Sequence, residues 1–314
     1  MSHDDAAPAR AERAILARAH DIRCVYGGGE KDFTAVDGVS LELGEGEILG
    51  LAGESGCGKT TLGNALAMIA TPPLYVLSGA LEIDGESIDL STLSVADLKR
   101  HRPYRGRTVS MLPQGAMNSI SPTLRIRSLV HDVMRAHDPR VSRDEALDLA
   151  RDRLKMLEMP VRVLDSYAHQ LSGGMKQRMI TVISTLQNPR LLIADEPTSA
   201  LDVSSQRMLV EMLLAMVEQR IMSGVVFVTH DLPVLSQVSD RLAIMSGGRI
   251  VETGPTRRLV EQPEHDYTRT LLSSVLDPSR ETWERGRRRA GLDAGAAGPA
   301  APAAPAPEKE VGAR

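Results

Sequence analysis

Apolar positions change period several times along the chain, and each change marks an element. From about Ile22, the sequence IRCVY, a glycine-rich turn at Gly27 to Gly29 and AVDGVSLEL ending at Gly44 predict antiparallel, hairpin-linked strands. EILGLAG at 47–53 is a continuous apolar run that stops in glycines, and TTLGNALAMIA continues with helical spacing up to Pro72 and Pro73. Between about 115 and 170 the pattern becomes helical. Ser142 and Glu145 form a capping-box pair there, ahead of an apolar rhythm at Leu147, Ala150, Leu154 and Leu157. LLIAD at 191–195 and VVFVTH at 225–230 are unbroken apolar runs, the pattern of parallel strands covered on both faces, with an amphipathic helix between them. RLAIMSGGRIVETG predicts two short strands joined at Gly247-Gly248.

These elements predict an α/β fold with a parallel sheet, an antiparallel β subdomain and an inserted α-helical subdomain at about 115–175, and GESGCGKT at 53–60, between an apolar strand and the helix that follows it, has the spacing of a P-loop NTPase core. Residues 1–20 lack strand rhythm and are expected to be a flexible leader, although Ala14 to His20 could form a short helix. The folded domain is expected to span 21–280, and the Ala/Pro-rich tail at 281–314 is expected to be disordered. No internal repeat is evident.

Composition narrows the picture. Aromatic residues make up only 3% of the 314 residues, so the core has to be aliphatic, which suits helices on a sheet better than an all-β sandwich. A net charge of −4 argues against nucleic acid as a partner. Cys24 and Cys57, the two cysteines, have no metal-type spacing and suggest neither a disulfide framework nor a zinc site, in keeping with a reducing cytoplasm. No apolar stretch approaches the ~18 residues that a membrane helix needs, and the N-terminal stretch is charged and Ala-rich rather than signal-like, so any membrane role has to come through partners.

The strongest chemical signal is Gly53-Glu54-Ser55-Gly56-Cys57-Gly58-Lys59-Thr60, followed by Thr61, which has P-loop spacing between a predicted strand and a predicted helix. Triphosphate oxygens need many donors at close range. Glycine backbones supply N–H groups without a Cβ in the way, and the following helix points its positive end at the anion. In this pattern Lys59 reaches the β- and γ-phosphates and the Thr60 hydroxyl ligates Mg²⁺. Asp195 ends the apolar strand LLIA, at the sheet edge where such folds bind ligands, followed by Glu196. Cys57 lies inside the loop, so thiol-alkylating reagents are expected to inhibit by crowding the phosphate site.

A P-loop alone implies only a nucleotide-binding protein, but Leu171-Ser172-Gly173-Gly174-Met175-Lys176-Gln177-Arg178 resembles the signature of ABC transporter ATPases. The resemblance covers about residues 20–275 and includes Gln114, Asp195-Glu196, Ser199 to Asp202 and His230. Met175 stands where glutamine is usual, a variant seen in the dipeptide, oligopeptide and nickel importer subfamily. MNSISP at 117–122 and EQPEHDYTRTLL at 261–272 also resemble that subfamily.

The resemblance implies ATP and Mg²⁺ as ligands, with Mg²⁺ at Thr60, Gln114 and Asp195. Glu196 is implied to polarise the attacking water, His230 to contact the γ-phosphate and Tyr26 to stack on adenine. Ser172, Gly173, Gly174 and Met175 are implied to act on the ATP of a second cassette, usually a different chain, in a head-to-tail dimer. Two transmembrane permeases and, indirectly, an extracytoplasmic substrate-binding protein are the implied partners, which puts the chain on the cytoplasmic face of the membrane. Some relatives carry an iron–sulfur centre on C-terminal cysteines, but no cysteine follows Cys57 here. The implied function is that of the ATP-hydrolysing subunit of an importer for peptides, or for oligosaccharides or nickel; the alternatives are an exporter subunit and, further off, a soluble nucleic-acid-associated ATPase of the same superfamily.

Overall fold

The computed structural model describes residues 13–27, 32–93, 101–118 and 120–275, all within one compact unit. Most of the expected leader, Gly28 and Gly29 of the first turn and the whole expected tail lie outside the described residues.

One sheet is antiparallel, in the order β2-β1-β4-β5: β1 is Ile15–Tyr26, β2 Phe33–Gly44, β4 Leu74–Ile83 and β5 Glu86–Asp89. The other has six strands in the order β10-β9-β3-β8-β7-β6: β3 is Glu47–Ala52, β6 Val109–Leu112, β7 Leu191–Asp195, β8 Gly224–Val228, β9 Arg241–Ser246 and β10 Arg249–Pro255. Its strands run parallel except for β10, which returns antiparallel from β9 through Gly247 and Gly248, both at positive φ.

The unbroken apolar runs have a direct explanation in this architecture. Leu191 and Ile193 of β7 and Val226 and Val228 of β8 join the core beneath the antiparallel sheet, with Leu62 and Leu66 of helix α1 (Lys59–Leu66). Leu192 and Ala194, with Val225 and Phe227, join the opposite core beneath the remaining helices. Both faces are covered, so neither face needs polar residues.

The helical region comprises α2 (Ile126–His137) and α3 (Arg143–Met156), followed by short 3₁₀ turns and by α4 (Gly173–Ser184). Both halves of the Ser142–Glu145 capping box are formed, and Leu147, Ala150 and Leu154 are buried. Buried Arg153 ties α3 to the end of α4, donating to the Thr185 carbonyl at 2.7 Å and to Asn188 Oδ1. The remaining helices are α5 (Val203–Glu218), α6 (Leu232–Val238), α7 (Thr256–Glu261) and α8 (Asp266–Val275). Among the described residues no helix is long and apolar enough to cross a membrane.

Two expectations are corrected. The leader was expected to end at residue 20, with a short helix possible at Ala14 to His20, but β1 begins at Ile15. Alanine-rich sequence has helical propensity, but Ala17 and Ala19 pair with Leu43 and Leu41 on one side and with Ile83 and Leu81 on the other, and this two-sided ladder prevails. The first helix was expected to run to Pro72 and Pro73, but α1 ends at Leu66. The Ala67 and Met68 amides fold back on the Gly63 and Ala65 carbonyls, and Met68 turns the chain at positive φ.

Candidate active site

The phosphate-binding-type loop leaves the end of β3 and enters α1. A Cβ on Gly53 would lie 2.1 Å from the Met245 carbonyl oxygen, and one on Gly58 would lie 2.2 Å from that of Ala35; both residues hold positive φ. The loop is therefore pressed against β9 and β2 with no room for a side chain at either point. Gly58 is the N-cap of α1 and supplies no side-chain cap, so the first-turn amides remain open to an anion.

Lys59 is 7% exposed and curls back over its own loop, where Nζ donates to the Gly53 and Glu54 carbonyls at 2.8 Å each. The Cys57 sulfur lies 3.7 Å from the same nitrogen. The ammonium thus sits at the centre of the loop, satisfied by backbone oxygens that a phosphate would outcompete through charge.

Thr60 Oγ1 donates to Asp195 Oδ1 at 3.2 Å, linking the first turn of α1 to the end of β7. Asp195 is 1% exposed and its Oδ2 has no hydrogen-bond partner. Burial pushes its carboxyl above the usual carboxylate range, despite the Thr60 hydrogen bond. A buried carboxylate oxygen without a donor beside a threonine hydroxyl is a hard oxygen pair that fits Mg²⁺. Among the described residues no group of three or more His, Cys, Asp or Glu side chains is placed to hold a metal, so the other ligands of such a cation would be phosphate oxygens and water.

Glu196 follows at φ 48°, a left-handed conformation that is costly outside glycine and common at functional sites. Its amide donates to Val228 at 2.8 Å, locking the turn to β8. The side chain is clasped from the end of β8. Oε1 accepts from the His230 amide at 3.1 Å and lies 2.7 Å from His230 Nδ1, and Oε2 accepts from the Thr229 hydroxyl at 3.0 Å. The Glu196 side chain is 9% exposed, but that of His230 is 69% exposed, so the histidine faces the open side of the site.

Gln114 is exposed, and it lies just past Leu112, the residue of β6 that pairs with Ala194. It therefore leaves the same sheet edge from which Asp195 emerges. Tyr26 ends β1, and its hydroxyl is 3.0 Å from Thr61 Oγ1, beside the loop.

Ser172, Gly173, Gly174 and Met175 are not hydrogen-bonded to this cluster. They form the start of α4, which packs on α3, α5 and β6, whereas α1 packs on β1, β7 and β8. Ser172 caps α4 by accepting from the Met175 amide at 3.3 Å and is exposed along with Gly173. A Cβ on Gly174 would lie 2.5 Å from Ser205 Oγ, and Ser205 is held by Asp202, the N-cap of α5. The second glycine-rich helix start therefore faces outward on a different part of the surface.

Sequence reasoning gave no role to Thr229, although the residue directly precedes His230. It also gave none to Tyr267, whose hydroxyl accepts from the Glu54 amide.

The geometry refines the expectation for Cys57. Its side chain is buried at 8% exposure and faces Lys59. A maleimide is expected to label Cys57 slowly, at the rate of loop opening, and saturating ATP and Mg²⁺ should slow labelling by about tenfold. Mass spectrometry of the loop peptide over time checks this, and equal labelling with and without nucleotide would refute it.

A family model for ABC transporters matches residues 36–199. The dipeptide transport ATP-binding protein DppD of Caldanaerobacter subterraneus subsp. tengcongensis is 36% identical over 84% of this chain and 79% of its own length. The oligopeptide transport ATP-binding protein OppD of Bacillus subtilis is 36% identical over 80% of this chain and 68% of its own. Among solved structures, a dimeric post-hydrolysis state of the ATP-binding cassette MJ0796, bound to ADP and Pi, superposes with a TM-score of 0.64 at 26% identity. That match covers 77% of this chain and 99% of the cassette.

Proposed function

Because the chain belongs to the ABC transporter family and has the cassette fold of its ATPases, we propose that it is the ATP-hydrolysing subunit of a peptide importer, docked on the cytoplasmic face of the membrane. It would act there with two permease subunits, a second and different cassette, and an extracytoplasmic binding protein. The names of its relatives, dipeptide and oligopeptide transport proteins, support peptides as cargo. The observation that carries the ATPase reading is the buried Asp195 carboxylate, with one oxygen on Thr60 and the other unpartnered, beside a glycine loop centred on Lys59.

In this reading the loop amides and the start of α1 bind the β- and γ-phosphates, and Lys59 exchanges the Gly53 and Glu54 carbonyls for phosphate oxygens. Tyr26 stacks on adenine. Thr60, Asp195 and Gln114 would hold Mg²⁺, which neutralises charge on the phosphates when bound. Glu196 orients the attacking water and accepts its proton as the water oxygen bonds to the γ-phosphorus and the bond to the leaving ADP oxygen breaks. Its two oxygens are held in place by Thr229 and His230, so the base is preorganised. His230, exposed on the open side, contacts the γ-phosphate and links that contact to Glu196.

Ser172, Gly173, Gly174 and Met175 present an outward-facing helix start whose amides suit an anion from outside the chain, in keeping with the nucleotide of a partner cassette. Closure of the two cassettes on two nucleotides and reopening after hydrolysis would drive the permeases.

The test is peptide uptake by cells lacking this chain, complemented with the wild type or with the Glu196→Gln variant. Loss of labelled di- or oligopeptide uptake, restored only by the wild type, is expected. Normal uptake with loss of efflux would identify an exporter instead and overturn the import reading.

A further inference from the structure

We propose that Tyr267, in the C-terminal helix α8, is a positioning residue for the phosphate loop, holding the base of that loop in the shape that binds a triphosphate. This rests on the nucleotide-binding reading above. The contact is direct: the Tyr267 hydroxyl accepts from the Glu54 amide at 2.9 Å, across 213 residues of sequence. The Ser246 side chain, at the end of β9, also interacts with the phenol. Gly53 is pressed against the carbonyl of Met245, the neighbour of Ser246. The entrance of the loop is thus fixed from two sides, by the end of β9 and by the phenol.

The helix that presents Tyr267 is itself anchored. Glu252 of β10 accepts from the Glu264 and His265 amides at 3.0 and 3.1 Å, fixing the turn that leads into α8. Arg269 donates back to the Pro263 and Glu264 carbonyls at 3.1 and 2.7 Å. Thr268 and Leu272 are buried, and the Tyr267 ring packs against the helical core. A phenol on such a mount restrains its partner more than a mobile surface side chain would.

The amide it engages is well chosen. Lys59 Nζ is bonded to the carbonyls of Gly53 and Glu54, so the Glu54 peptide units set where the ammonium lies. The Cys57 amide in turn donates to the Glu54 carbonyl at 3.3 Å, closing the loop on itself. Releasing the Glu54 amide frees the residue to which both the lysine and the loop closure are tied. Ordering the loop would then have to be done at the moment of nucleotide binding, which lowers affinity without touching the chemical step.

The experiment compares the full-length wild type with Tyr267→Phe, which removes the hydroxyl and keeps the ring. Affinity for ATP with Mg²⁺ is expected to fall about fivefold, the effect of one hydrogen bond, with KM rising by a similar factor and kcat changing less. Hydrogen exchange of a peptide covering residues 53–56, measured without nucleotide, should show a protected Glu54 amide in the wild type and faster exchange in the variant.

Unchanged or tightened affinity in Tyr267→Phe, or an unprotected Glu54 amide in the wild type, overturns the proposal. If wild-type chain binds no ATP, the nucleotide reading fails, and the exchange measurement still decides whether the tether exists.

Discussion

Replacing Glu196 with Gln is expected to lower ATP hydrolysis by at least ~100-fold while leaving ATP affinity within about threefold of wild type. A general base of this kind contributes ~10²–10⁴ in rate, and the amide cannot accept the proton. The substitution nearly preserves shape, so the side chain stays between β7 and β8. The carboxylate receives the Thr229 hydroxyl, the His230 amide and the His230 ring, whereas an amide offers one acceptor oxygen. The amide oxygen can keep both His230 contacts while the new NH₂ group donates to the Thr229 hydroxyl, so Thr229, turned from donor to acceptor, carries the adjustment. Phosphate release and equilibrium binding, measured on the same preparations, check both halves. A variant retaining more than a tenth of the wild-type rate would remove Glu196 from the chemistry.

Lys59→Ala is expected to lose binding as well as hydrolysis. Affinity for ATP should fall by about 100-fold, in line with loss of a preorganised charged donor, with hydrolysis falling to background. The reason lies in the free loop: Nζ fills the centre of the loop, where the triphosphate charge would lie, and bonds two of its carbonyls. Without it the Gly53 and Glu54 oxygens face one another with no cation between them, and the loop repels the anion it is built to hold. The far-ultraviolet circular dichroism should be unchanged, because the core around α1 depends on Leu62, Ala65 and Leu66. Wild-type affinity in Lys59→Ala would be inconsistent with the loop as the phosphate site.

The contrast between legible and illegible parts follows from range. β7 and β8 could be read because burial on both faces leaves an apolar run in the local sequence. The loop could be read because its glycines are dictated by close contacts, such as Gly53 on Met245. The first half of β1 was misread because its alanines carry helical propensity, and the partners that make it a strand, Leu41, Leu43, Leu81 and Ile83, are distant in the chain.

Within the site, residue types were legible but their engagement was not. Nothing local in the sequence says that Glu196 is held by Thr229 and His230, or that Asp195 keeps one buried oxygen unpartnered. Met175 and its neighbours were readable as a helix start, whereas their outward placement, away from the chain's own loop, depends on packing of α4 against α3, α5 and β6.

The most direct test of the central claim, an ATPase that powers membrane partners, is purification of the tagged Glu196→Gln chain from gently solubilised native membranes with ATP and Mg²⁺ present. Slowed hydrolysis should hold the cassettes closed and the assembly intact. The account predicts that two permease chains and a second cassette are identified by mass spectrometry alongside it. Recovery with soluble proteins or nucleic acid alone would contradict the transport role.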